Sequence, residues 1–125
     1  MQHAGNVLRG RRVMIVEDQM LLAMELESLL VELGCTVLGP VPSVARALAL
    51  LEQQRPDAAI LDVNLNGQTA LPVAEALTAQ GVPFVLATGY TDALQPELQG
   101  APRLSKPVNH NELVRALVQI LDASA

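Results

Sequence analysis

The sequence predicts an α/β domain, a doubly wound five-stranded parallel sheet of order 2-1-3-4-5 with helices on both faces. Two observations lead there. Short apolar runs alternate with stretches of helical periodicity at least four times along the 125 residues, the rhythm of repeated strand–helix units. The central run, Ala58-Ala59-Ile60-Leu61, is apolar at every position rather than at alternate ones, as a strand covered on both faces must be.

Residues 1–10 read as an N-terminal extension and residues 11–123 as a single domain. The first strand is Arg12 to Val16. A helix follows with Leu22, Leu26, Leu29 and Leu33 on one face, spaced four, three and four apart, and Gly34 stands where a left-handed cap belongs. The second strand, Thr36 to Val41, carries Gly39-Pro40 and is therefore expected at a sheet edge. Ser43 caps the second helix, whose inner side holds Val44, Leu48 and Leu51. The third strand, Ala58 to Asp62, passes through the turn Asn64-Leu65-Asn66-Gly67 into a third helix, with Pro72 in its first turn and Gly81 past its end. The fourth strand is Phe84 to Thr88. Between Gly89 and Pro102 only a short, mobile fourth helix is expected, around Thr91-Asp92-Ala93-Leu94, because Pro96 and Gly100 break anything longer. A brief fifth strand, Arg103 to Ser105, precedes Asn109, which caps a last helix with Glu112 at its third position. That helix is expected to run to about Leu121, with Leu113, Leu117, Ile120 and Leu121 inward.

Composition excludes several classes. Half the residues are apolar and 17% are charged, so the chain is globular. A formal charge of −5 argues against a nucleic-acid partner, which needs a basic face. One Phe and one Tyr supply no base-stacking platform. The single Cys35 rules out an internal disulfide, fits a reducing compartment, and reads as a buried structural thiol. No apolar run approaches membrane-spanning or signal-peptide length, so a soluble, cytoplasmic protein with no membrane partner is expected.

The chemistry lies in the strand endings. Strand one ends in Glu17-Asp18, strand three in Asp62, strand four in Thr88 and strand five in Lys106-Pro107. In a parallel sheet these endings meet along one edge, at the switch point where such folds hold ligands. A carboxylate there can attack a phosphoryl group and become an acyl phosphate, and Asp62 is the candidate, expected to face solvent. The phosphoryl oxygens are already negative, so a hard cation is required, and Mg²⁺ accepts the oxygen ligands that Glu17, Asp18, Asp62 and the Asn64 backbone carbonyl offer. Lys106 supplies a point charge and Thr88 a hydroxyl donor to the transferring group. A cis peptide at Lys106-Pro107 is plausible and would turn the lysine toward the acids. Three carboxylates in contact should raise at least one pKa without metal, so Mg²⁺ should stabilise the fold.

These residues, in this order, resemble the receiver domain of bacterial two-component response regulators over nearly the whole chain, and the resemblance implies a flavodoxin-like receiver fold. It implies that Asp62 takes phosphate from a histidine kinase or phosphotransferase and signals to a downstream protein by contact, or serves as a phosphate sink, with only self-phosphorylation and autodephosphorylation rather than enzymatic turnover. It also implies that Asn64 tunes the phosphate lifetime. Leu86-Ala87-Thr88-Gly89-Tyr90 is similar to a single-domain subgroup with a Phe-Ala-Thr-Gly-Tyr type signature, with Leu86 in place of Phe. Two departures bear on output. Arg103 occupies the place of the family's switch aromatic, which leaves Tyr90 as the candidate switch, and Leu65-Asn66 replaces the usual Met-Pro.

Blander readings exist for each residue. Glu17 and Asp18 could cap the first helix, Thr88 could be an ordinary strand residue, Lys106 a solvated charge, and His3 and His110 are expected at the surface. Residues 62–67 match the first half of a calcium-binding EF-hand loop, but the twelfth position is Val73, where a Glu is required, and a strand precedes the loop. Two other functions compete with the signalling one: a metal-dependent phosphohydrolase with an Asp nucleophile, and a protein-binding module indifferent to phosphorylation.

Overall fold

Alternate strand residues sort into two cores in the computed structural model, which describes residues 2–89 and 94–124. The sheet consists of β1 (Arg12–Val16), β2 (Thr36–Val41), β3 (Ala58–Asp62), β6 (Phe84–Thr88) and β7 (Arg103–Ser105), all parallel, in the order β2-β1-β3-β6-β7. Apart from an intervening hairpin, that is the 2-1-3-4-5 order. Met14, Val16, Ala59, Leu61 and Leu86 face α3 (Val44–Gln53) and α4 (Leu71–Ala79), where Ala47, Leu51, Val73, Ala74 and Leu77 close the first core. Val13, Ile15, Ala58, Ile60, Val85 and Leu104 face α2 (Met20–Glu32) and α5 (His110–Ser124), meeting Leu26, Leu30, Leu113, Leu117 and Leu121. The two-residue period of strand side chains thus feeds helices on both sides.

Local signals set the element ends. α2 finishes in a Schellman motif, with Gly34 at φ +88°, its N–H on the Val31 carbonyl and the Cys35 N–H on the Leu30 carbonyl. The Ser43 hydroxyl accepts from the Arg46 N–H at 3.2 Å, and the Asn109 side chain accepts from the Glu112 N–H at 3.0 Å. Gly39 in the edge strand sits at φ +91°, where a Cβ would lie 2.8 Å from the Val41 nitrogen and 3.1 Å from the Ile15 oxygen. Only glycine fits there. The Gly39–Pro40 and Lys106–Pro107 peptide bonds are both cis.

Several expectations change. Residues 2–8, read as an extension, form a helix, α1 (Gln2–Leu8), packed on α5. Leu8 is fully buried in the second core, and the Cys35 thiol donates to its carbonyl at 3.4 Å. Burial pushes the Cys35 pKa up, consistent with an inert thiol. On α2 the innermost line is Ala23, Leu26 and Leu30, with Leu22, Leu29 and Leu33 half-buried beside it. Met20, Leu21, Met24 and Val31 are exposed. The expected turn at Asn64–Gly67 is a small hairpin, β4 (Asn64–Leu65) paired antiparallel with β5 (Gln68–Thr69). Its two-residue loop has positive φ at both Asn66 (53°) and Gly67 (86°), the signature of a type I′ turn. The expected fourth helix, around residues 91–94, lies outside the described residues except for Leu94; a 3₁₀ turn follows at Pro96–Leu98. α5 continues three residues past Leu121, to Ser124. Among the described residues no helix is long and apolar enough to cross a membrane.

Candidate functional site

Parallel register brings the strand endings together. Val16 pairs with Leu61, Asp62 with Ala87, and Thr88 with Ser105, so the residues at or just past these ends emerge along one edge. Oxygens of Glu17, Asp18 and Asp62 all lie within 4.8 Å of one another. The Lys106 ammonium lies 2.9 Å from Asp62 Oδ2 and 3.2 Å from Glu17 Oε1. Its position is fixed from the backbone as well, because the Lys106 N–H donates to the Thr88 carbonyl at 2.9 Å. Asp18, Asp62 and Lys106 border a cavity of about 260 Å³ whose wall also includes Gln19, Asn64, Asn66, Gly67 and Gly89.

Asp62 is not open to solvent as expected: it is 2% exposed. Lys106 covers one of its oxygens and the Asn64 N–H donates to the other at 3.1 Å. Glu17 is buried too, and its carboxylate accepts from the Gln19 N–H at 3.0 Å. Neither Glu17 nor Asp18 caps α2, whose N-cap is Gln19. Asp18 instead accepts from the Asn66 N–H at 3.0 Å, tying the hairpin tip to β1. Thr88 closes the neighbouring strand, but its hydroxyl points at the Leu104 carbonyl, 3.5 Å away. His110 is exposed on the surface beside α2, away from the acids. Tyr90 lies outside the described residues.

Electrostatics follow from this crowding. Burial, aided by the neighbouring Asp62 and opposed by the Gln19 N–H and Lys106, raises the Glu17 pKa to about 7. Burial also raises Asp62, with Lys106 pulling against it. For Asp18, partial burial is outweighed by hydrogen bonds with Asp62 and the Asn66 N–H, and its pKa falls. Burial opposes the charge on Lys106, yet the Asp62 and Glu17 carboxylates hold its pKa above normal. Three acids against one ammonium leave a surplus of negative charge in a small volume. An all-oxygen donor set of this kind fits a hard divalent cation that keeps part of its water shell.

Backbone N–H groups of Gln19, Asn64 and Asn66 complete the site, and residue-type reasoning missed all three, having named Asn64 only for its carbonyl. A main-chain donor leaves no mark in residue type. The one available signal was Asn66-Gly67, the dipeptide that favours a two-residue hairpin loop.

A family model described as the response regulator receiver domain matches residues 13–118. The chain belongs to that family. It is therefore a phosphoacceptor-type signalling fold rather than a turnover enzyme. Among solved receivers, SdrG from Sphingomonas melonis shares 40% identity at a TM-score of 0.78, covering 91% of this chain and 98% of that one. The receiver domain of a sensor histidine kinase from Pseudomonas aeruginosa, solved with magnesium in its active-site cleft, shares 28% identity at a TM-score of 0.75, covering 90% of this chain and 98% of that one. The transcriptional regulatory protein PdtaR of Mycobacterium tuberculosis is 29% identical over 115 residues, 86% of this chain and 55% of its own length. The chain thus spans about half of that curated relative. Within the receiver frame, Arg103 is exposed on β7 and Leu65-Asn66 is built into the hairpin.

Proposed function

We propose that this receiver accepts a phosphoryl group on Asp62 from a phosphohistidine donor, a histidine kinase or phosphotransferase. The observation that carries the reading is the meeting of Glu17, Asp18, Asp62 and Lys106 in one pocket. In the transfer, an Asp62 oxygen forms a bond to phosphorus as the donor's P–N bond breaks, and the electron pair leaves with the imidazole. Lys106 moves from the Asp62 carboxylate to the phosphoryl oxygens, and Thr88 rotates its hydroxyl to donate there. Glu17, Asp18, Asp62 and the Asn64 carbonyl would hold Mg²⁺, which neutralises charge shared between the carboxylates and the phosphoryl group. Water later attacks phosphorus, regenerating the Asp62 carboxylate and releasing phosphate.

The donor in this reading is a protein that presents its phosphohistidine to the acid. The exposed apolar side chains of Met20, Leu21 and Met24 lie on α2, which begins two residues beyond Asp18; they support docking by a protein. The phosphorylated domain then acts on a downstream protein by contact or drains phosphate from a relay, with Tyr90 as the switch residue and the cytoplasm as its compartment. The test is incubation with Mg²⁺ and a small acyl phosphate or phosphoramidate, followed by intact mass. A single phosphoryl adduct on wild type, absent from Asp62→Asn, is expected. No adduct on wild type, or steady phosphate release from added phosphate esters, would overturn the reading.

A further inference from the structure

Two of the bonds that hold the hairpin β4–β5 to its surroundings end on the acids. Its base is closed by the Ala70 N–H on the Val63 carbonyl at 3.0 Å, with Leu65 and Ala70 buried beneath. At the incoming strand the Asn64 N–H donates to Asp62, and at the tip the Asn66 N–H donates to Asp18. The Gly67 N–H closes the loop on the Asn64 side chain at 2.8 Å. On the outgoing strand the Thr69 hydroxyl accepts from the Leu71 N–H at 3.2 Å and donates to the Gln95 side-chain oxygen at 2.7 Å. Both hydrogen-bonding capacities of that hydroxyl are in use, so its orientation is set. Gln95 is the residue that caps the 3₁₀ turn Pro96–Leu98. Leu98 is buried in the first core, while Glu97 stands on the wall of a cavity of about 440 Å³ floored by Phe84, Val82 and Ala101.

We propose that Thr69 and Gln95 form a latch through which the occupancy of the acid pocket sets the position of the 3₁₀ turn Pro96–Leu98. The inference rests on the phosphoacceptor reading above. Any group taken up by Asp62 or Asp18 competes for the oxygens that anchor the hairpin. The hairpin is one hydrogen-bonded unit, so a displaced tip or incoming strand carries Thr69 with it, and Thr69 carries Gln95. This route runs from β3 through the hairpin, independent of position 103, where an exposed Arg stands in β7. A link of one hydroxyl to one amide is specific enough to cut without touching the acids.

The experiment uses the ¹⁵N-labelled chain with Mg²⁺ and beryllofluoride as a phosphoryl stand-in, following the amides of Gln95, Glu97 and Leu98. Wild type, Thr69→Val, Thr69→Ser and Gln95→Leu are compared, each first checked by intact mass for an adduct with an acyl phosphate. Thr69→Val also removes a bond to the start of α4; Gln95→Leu leaves that bond in place and cuts the latch from the other side. The shift response at those three amides is expected to fall about twofold or more in Thr69→Val and Gln95→Leu, the scale of single coupling contacts. It should return in Thr69→Ser, with adduct formation equal throughout. An unchanged response in Gln95→Leu, or a wild type that takes the adduct without any response at these amides, overturns the latch alone. A wild type with no adduct overturns the phosphoacceptor reading first.

Discussion

Glu17 is the residue whose charge the pocket controls most directly. Its carboxyl ordinarily ionises near 4.5 but in the fold does so at about 7, because burial and the Asp62 carboxylate disfavour a second anion. The folded state therefore holds a proton that the unfolded chain has already released. Without metal, stability should be greatest below pH 4.5 as far as Glu17 is concerned, and should decline as pH rises to about 7. Excess Mg²⁺ should invert that trend, since it binds only the deprotonated acids and its stabilisation grows with pH. Denaturant melts from pH 5 to 8, with and without Mg²⁺, check both slopes, and Glu17→Gln should flatten the metal-free one. At this scale the meeting of Glu17, Asp18, Asp62 and Lys106 was readable because these residues are chemically distinctive and stand at strand ends. Two things were not readable. Asp62 is covered because Lys106 folds back onto it, a matter of side-chain path, and the donors from Gln19 and Asn66 belong to the main chain.

At the scale of elements, α2 presents a conflict between its two sides. Leu26 and Leu30 bind it to the sheet, yet Met20, Leu21 and Met24 leave apolar surface in water. Scattered exposed leucines need no explanation, but these three are grouped on the first turns of α2, which follows the acidic pair directly in sequence. Leu21→Asp should slow transfer from a phosphohistidine protein that phosphorylates the wild type by about tenfold, equivalent to about 1.4 kcal/mol. The rate with an acyl phosphate should stay the same, because Leu21 lies on the outer surface of α2. Equal slowing with both donors would assign Leu21 to the fold instead. The sheet strands were legible at this scale to the residue, since β1, β3 and β6 are apolar runs with a polar stop and the short β7 ends at a Lys-Pro. The hairpin was not: strands of two residues carry no period, and only the Asn66-Gly67 loop betrays them.

Across the whole molecule, two cores share one sheet, and α1 seals the second of them. Leu8 has no exposed surface and its carbonyl accepts from Cys35, so a helix placed before the first strand is part of the packed unit. Leu8→Ala should cost about 2–5 kcal/mol, the range for buried large-to-small changes. It should also speed labelling of Cys35 by a thiol reagent, since the thiol loses its cover. An unchanged melting temperature and labelling rate would show α1 to be undocked in solution. Sequence reasoning missed this helix because Gly5 lies inside it and no capping residue announces it. The parallel order, by contrast, followed from the alternation of runs and from a central strand apolar on both faces.

The measurement that bears most directly on the central claim is the location of the phosphoryl group. Wild-type protein is loaded in Mg²⁺, reduced with borohydride to convert an acyl phosphate into a stable alcohol, digested and mapped by mass. Conversion at Asp62, lost when Mg²⁺ is chelated, is the predicted result. Conversion at Glu17 or Asp18, or at Asp62 to the same extent in chelator, would contradict it.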